Sequence, residues 1–138
     1  MTSASEASPR LNDAPQSVSQ PILAADLTVL DLVAAKLQLL QAPAWQTSDR
    51  SSSVLFKSEG VRLVMMALRE GAELKTHTAP GTLSVQVLEG HISFYTEQQS
   101  ADLQTGHVLT LPPGVPHRVV ARQESVFLLT IAIPVKAM

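Results

Sequence analysis

After Trp45 the chain is punctuated by turn signals at nearly even intervals, and this restricts the fold more than any other feature. Glu59-Gly60, Glu70-Gly71, Pro80-Gly81, Glu89-Gly90, Gln98-Gln99, Thr105-Gly106, Pro113-Gly114 and Gln123-Glu124 succeed one another at gaps of seven to eleven residues. The runs between them are short and rich in Val, Leu, Ile, Phe and Thr. Such gaps suit strands and are too short for a series of helices, so the pattern predicts an all-β sandwich or barrel. The strands expected are 53–58, 61–68, 82–88, 91–96, 107–111, 117–122 and 125–133.

Two of these runs carry more information. In VRLVMMAL (61–68) both alternating sets are apolar, and VFLLTIAI (126–133) behaves alike. Because successive side chains point to opposite faces, a strand apolar on both sets is covered on both. One face can line a barrel interior. The other then needs a helix, a second sheet or another subunit. Residues 24–41 (AADLTVLDLVAAKLQLLQ) supply a helix, with Leu27, Leu30, Ala34 and Leu37 repeating at three- and four-residue steps. Asp26 is the expected N-cap and Pro43 the stop. The helix is read as a lid over one sheet face, the alternative being a dimerisation element. One helix covers only part of a sheet, so a homodimer is expected.

Residues 1–21 are polar, small and proline-broken, and read as a tail outside the single domain of residues 22–138. The alternative is an arm that swaps onto a partner. With 45% hydrophobic residues the 138-residue chain can build a core without staples, and it has no cysteine to make one. Thiol catalysis and cysteine-bound zinc are thereby excluded. The net charge of −2, with no run of Lys or Arg, gives no stripe for nucleic acid or an acidic membrane surface. No stretch reaches the roughly 18 apolar residues of a spanning helix, and the first residues lack the apolar centre of a signal peptide. A cytoplasmic location is the resulting expectation.

Two segments carry a specific likeness. GAELKTHTAPGTLSVQVLEG (71–90) and GHVLTLPPGVPH (106–117) resemble the two motifs of the cupin superfamily, approximately G-x5-H-x-H-x(3,4)-E-x6-G and G-x5-P-x-G-x2-H-x3-N. Gly71, His77 and Gly90 fall on the first pattern, and Gly106, Pro112, Gly114 and His117 on the second. The resemblance covers about residues 53–133 and implies a cupin-type double-stranded β-helix: two antiparallel sheets rolled into an open cup, with both histidines pointing inward. In metal-binding members the ion is held by two His and one Glu or Gln from the first motif and one His from the second. Here the second His position is Ala79, the Glu or Gln position is Leu83, and the Asn position is Ala121. Two of four implied ligands remain, His77 and His117.

The expected pocket lining is Met65 or Met66, Leu83, and Val85 or Val87. Gln86, polar in an apolar strand, is a further candidate, although alternation from an inward Leu83 turns it outward unless a bulge reverses that. Arg62 and Arg69 could hold a carboxylate ligand, and each is expected on the surface. His91 and His107 stand beside turns and are read as solvated.

Two functions follow from the resemblance. One is a metal-dependent oxygenase or isomerase in which His77 and His117 bind divalent iron, nickel, manganese or zinc. The other is a metal-free module that binds or senses a small metabolite in an apolar pocket with few polar groups. A barrel kept only for assembly is a third. Ser84 and Ser125 lack a surrounding His/Asp constellation, and no Gly-rich phosphate loop is present.

Overall fold

The computed structural model describes residues 26–134. Two short helices precede nine strands. Helix α1 spans Leu32–Gln41 and α2 spans Pro43–Thr47. The strands are β1 Arg50–Lys57, β2 Val61–Leu68, β3 Glu73–His77, β4 Leu83–Glu89, β5 His91–Tyr95, β6 Ser100–Gln104, β7 Val108–Leu111, β8 His117–Ala121 and β9 Ser125–Ala132. Five of them form one antiparallel sheet in the order β1-β2-β9-β4-β7, and four form a second in the order β3-β8-β5-β6. No helix among the described residues is long and apolar enough to cross a membrane.

The helix starts later than its apolar periodicity suggested. Asp31, not Asp26, is the N-cap: its carboxylate accepts a hydrogen bond from the Ala34 amide at 3.0 Å, satisfying a donor that the first turn leaves free. The start expected at residue 24 lies outside the described residues. At the other end Pro43 does more than stop α1. Ala42 before it takes an extended conformation, and the proline opens α2 at a position where its missing N–H costs nothing.

Two strands carry no apolar alternation strong enough to have been foreseen. β3 (ELKTH) and β6 (SADLQ) are the edges of the four-stranded sheet. Their inward apolar residues reduce to Leu74 in one and to Ala101 and Leu103 in the other. His77 is the last residue of β3. β1 also begins earlier than expected, at Arg50, because the Ser51 hydroxyl reaches the Leu39 carbonyl at 3.2 Å and buries the serine beneath α1.

The apolar residues segregate into two cores, one on each face of the five-stranded sheet. Leu68, Leu83, Val85, Val87 and Phe127 meet Ile92, Phe94, Leu103 and Val119 of the other sheet inside the barrel. On the opposite face, Leu55, Met65, Ala67 and Val126 pack under Ala35, Leu39 and Trp45 of the helices. Arg69 braces this layer. Its guanidinium lies 4.1 Å from the Trp45 ring centre, donates to the Trp45 carbonyl at 2.8 Å and pairs with Glu124 at 3.6 Å. A Lys36–Glu89 ion pair ties α1 to β4. Val33 and Leu37 of α1 are exposed, as are Leu27 and Val29 before it, and these are the residues that the expected second subunit would have to cover.

The outer face of the four-stranded sheet is polar instead. Ser93 donates to Asp102 at 2.6 Å and accepts from Arg122 at 2.9 Å, while Arg118 pairs with Glu73 at 3.2 Å and lies over the Tyr95 ring. Donation from Ser93, followed by the nearby His91 and Arg122, holds the Asp102 carboxyl below its usual range.

Candidate functional site

A cavity of about 210 Å³ opens between the two sheets. Its walls are apolar and come from both: Leu83 and Val85 of β4, Leu129 and Ile131 of β9, Val119 of β8 and Leu74 of β3. Phe94 and Phe127 also line it. The polar lining is Arg62, His77, Thr78 and His117.

The two histidines meet because β3 and β8 pair antiparallel with His77 opposite His117, after a bulge that follows Leu74. Their ring centres are 4.3 Å apart in an edge-on arrangement. His117 is 2% exposed and stacks on Phe94, with centres 5.2 Å apart and planes 13° from parallel, whereas His77 is exposed at the mouth. Each ring is oriented by a carbonyl two residues back. The Nδ1 of His77 lies 2.7 Å from the Lys75 oxygen, and the Nδ1 of His117 lies 2.9 Å from the Val115 oxygen. A carbonyl only accepts, so each neutral ring carries its proton on Nδ1 and keeps a lone pair on Nε2.

Burial holds the His117 imidazole below its ordinary value of 6.5, the Val115 carbonyl opposes that, and His77 adds to it. The folded protein therefore binds a proton at His117 less readily than the unfolded chain does. Stability from this site is complete above the unfolded value. It is lost as pH falls from there toward the lower folded value, and levels off below it. Wild type is expected to lose more stability than His117→Asn between about pH 7.5 and about pH 5.5. Urea melts at the two pH values check this, and parallel losses in both proteins would remove His117 as the cause.

Of the pocket residues expected from sequence, Leu83 and Val85 line the cavity beside His77 and His117. Met65 does not. It is fully buried on the helix side of β2, because both alternating sets of that strand are apolar and sequence gives no sign of which faces inward. Met66 packs against the barrel core instead. Gln86 is exposed on the outer face of β4, as simple alternation from Leu83 demands. Arg62, expected on the surface, is half-buried and lines the cavity, while Arg69 lies against Trp45. His91 and His107 are outside the cup. The Nδ1 of His107 accepts from the Gln104 amide at 2.9 Å. His91 is less solvated than expected: its Nε2 is buried without a hydrogen-bond partner among the described residues, 3.8 Å from Asp102. Phe94 and Phe127 were not foreseen as lining, and the phase of their alternation relative to His117 and Val85 is the signal that would have found them.

The donor set fits a resident divalent ion poorly. Ala79 and Leu83, at the two remaining positions of the metal-binding pattern, do line the cavity but have no electron pair to offer. Among the described residues no group of three His, Cys, Asp or Glu is close enough to hold a metal. Catalytic zinc sites, for comparison, use three protein ligands.

Fold and site together define a double-sheeted β-cup whose apolar pocket opens past two histidines. The chain belongs to the cupin family: the family described as "Cupin domain" matches residues 64–132, half of the chain. No curated protein matches the sequence. Among solved structures, an RmlC-like cupin protein from Desulfovibrio desulfuricans is 30% identical, covering 60% of this chain and 81% of that one at a TM-score of 0.56. A conserved protein of unknown function from Streptococcus pyogenes is 23% identical over 82% of this chain and 92% of its own, with a TM-score of 0.61. Salicylate 1,2-dioxygenase from Pseudoaminobacter salicylatoxidans, in adducts with gentisate, is 15% identical with a TM-score of 0.67. Its match covers 82% of this chain but 35% of the enzyme, and the likeness is one of fold.

Proposed function

We propose that this protein binds a small metabolite in the cup without a resident metal. The observation that carries the reading is the composition of the cavity wall: a largely apolar surface in which two carbonyl-oriented imidazoles survive while the other two metal-binding positions are Ala79 and Leu83. A mostly apolar pocket with a few convergent polar groups is the general form of a small-molecule site. Each imidazole offers an Nε2 lone pair, so the pair can accept hydrogen bonds from a ligand and orient it. His117, buried and stacked on Phe94, is the deeper of the two imidazoles, and burial favours its neutral, hydrogen-bond-accepting form.

Metal content tests this. Protein purified without chelator is expected to hold no iron, nickel, manganese or zinc, and to take up none on titration. The double variant Ala79→His/Leu83→Glu, which restores both missing donors in the cup, is expected to bind close to one equivalent. About one equivalent in wild type, lost in His77→Ala/His117→Ala, would falsify the metal-free reading and support the oxygenase or isomerase alternative.

A further inference from the structure

β2 is apolar from Val61 to Leu68 except at Arg62. That residue lies opposite Ile131 of β9 and, on its other side, opposite Lys57 at the end of β1. Residues directly opposite in an antiparallel pair share a face, so Lys57 stands beside Arg62 on the cup side of the sheet. Like charges in this relation weaken a ladder. Among the described residues neither cation takes part in an ion pair, although other basic side chains do. In a chain of net charge −2, two cations that no described residue neutralises are thus side by side, and one of them lines the cavity.

The remaining polar groups have the opposite character. With both Nδ1 protons committed to backbone carbonyls, the neutral histidines present acceptors to the cavity. Everything else around them is hydrocarbon apart from Thr78. The cup therefore offers a cationic fork, hydrogen-bond acceptors and an apolar floor in about 210 Å³.

We infer that the ligand is a small hydroxy-carboxylate with an apolar body. Its carboxylate takes the planar Arg62 guanidinium, with Lys57 adding field at the rim. Its hydroxyl donates to the histidine pair, and its hydrocarbon part packs on Val85, Phe94 and Phe127. A phosphate ester is the poorer match. Its additional charge and oxygens would face apolar walls with a single guanidinium to answer them.

This inference rests on the small-molecule reading above, and one titration separates the two. Chemical-shift titrations of the full chain use mandelate, its neutral isostere mandelamide, and inorganic phosphate. Wild type is expected to bind mandelate about 10- to 100-fold more tightly than mandelamide, the range of a charge-assisted contact. In Arg62→Gln that preference should disappear, mandelate losing far more affinity than mandelamide, and Lys57→Gln should reduce it by a smaller factor. Equal affinity for acid and amide in wild type, or a preference that survives Arg62→Gln, overturns the inference and leaves the pocket standing. Tighter binding of phosphate than of mandelate overturns the carboxylate assignment. If none of the three shifts the resonances of cup residues, the inference and the small-molecule reading both fail.

Discussion

Phe127→Ala is expected to destabilise the fold by about 3–5 kcal/mol and to deepen the cup in the same step. Phe127 is 1% exposed on β9, between Met66 of β2 and Val87 of β4, and its ring belongs both to the barrel core and to the cavity wall. Removing it takes away a buried aromatic surface and leaves a void that the flanking strands cannot close without breaking their ladders. The loss is a large part of the roughly 5–15 kcal/mol that holds a typical domain together. Denaturant melts should show a lower midpoint with unchanged slope. Because the void joins an existing cavity, the variant should also bind benzene more tightly than wild type does. A loss below about 1 kcal/mol would mean that the ring is not the floor of the cup.

The turn between β4 and β5 gives the second large effect. Gly90 has φ +99°, and a Cβ built there would lie 2.3 Å from the Ser125 hydroxyl oxygen, 2.5 Å from the Glu124 carbonyl oxygen and 2.7 Å from the Ser125 Cα. Two of these three atoms are backbone and cannot swing aside. The third belongs to a buried serine that accepts the His91 amide at 2.9 Å and donates to the Gln123 carbonyl at 2.8 Å. Gly90→Ala is expected to cost about 1–2 kcal/mol for the left-handed backbone and about 1–3 kcal/mol for the crowding. Two controls divide these causes. Gly71 has φ +87° with open space around it, so Gly71→Ala should show the backbone cost alone. Gly60 has open space without a positive φ, and Gly60→Ala should be close to neutral. Thermal melts of the three variants should rank in that order; a Gly90→Ala protein no less stable than Gly71→Ala would show that the turn relaxes at little cost.

Sequence carried the architecture further than it carried the site. Even turn spacing and the second motif located His117 and most strands, because Gly and Pro act locally and do not depend on what packs against them. The two-sided apolar pattern of β2 and β9 told correctly that both faces of their sheet are covered. That same pattern hid the register. With Leu63, Met65 and Ala67 as apolar as Met66 and Leu68, nothing marks the inward set until a partner strand fixes it, and Met65 stood as a lining candidate beside Met66. Arg62, although named as able to hold a carboxylate, was expected on the surface for a related reason. A lone arginine is usually at the surface, and only its parity with Met66 and Leu68 reveals that it faces the cup. β3 and β6 were invisible because edge strands with a solvated face need almost no apolar residues.

The five-stranded sheet, as a wall with a different occupant on each side, governs how this chain can change length. Along β2 the cup owns Arg62, Met66 and Leu68, and the helices own Leu63, Met65 and Ala67. Since the period is two, inserting or deleting one residue within the strand hands each set to the other owner: the guanidinium would be driven beneath α1, and the ligand would meet the helix's former packing partners. A change of two residues preserves ownership. Point substitutions can therefore retune the pocket and the helix layer separately, while single-residue length changes in β2 disrupt both and are confined to turns such as the one around Gly60.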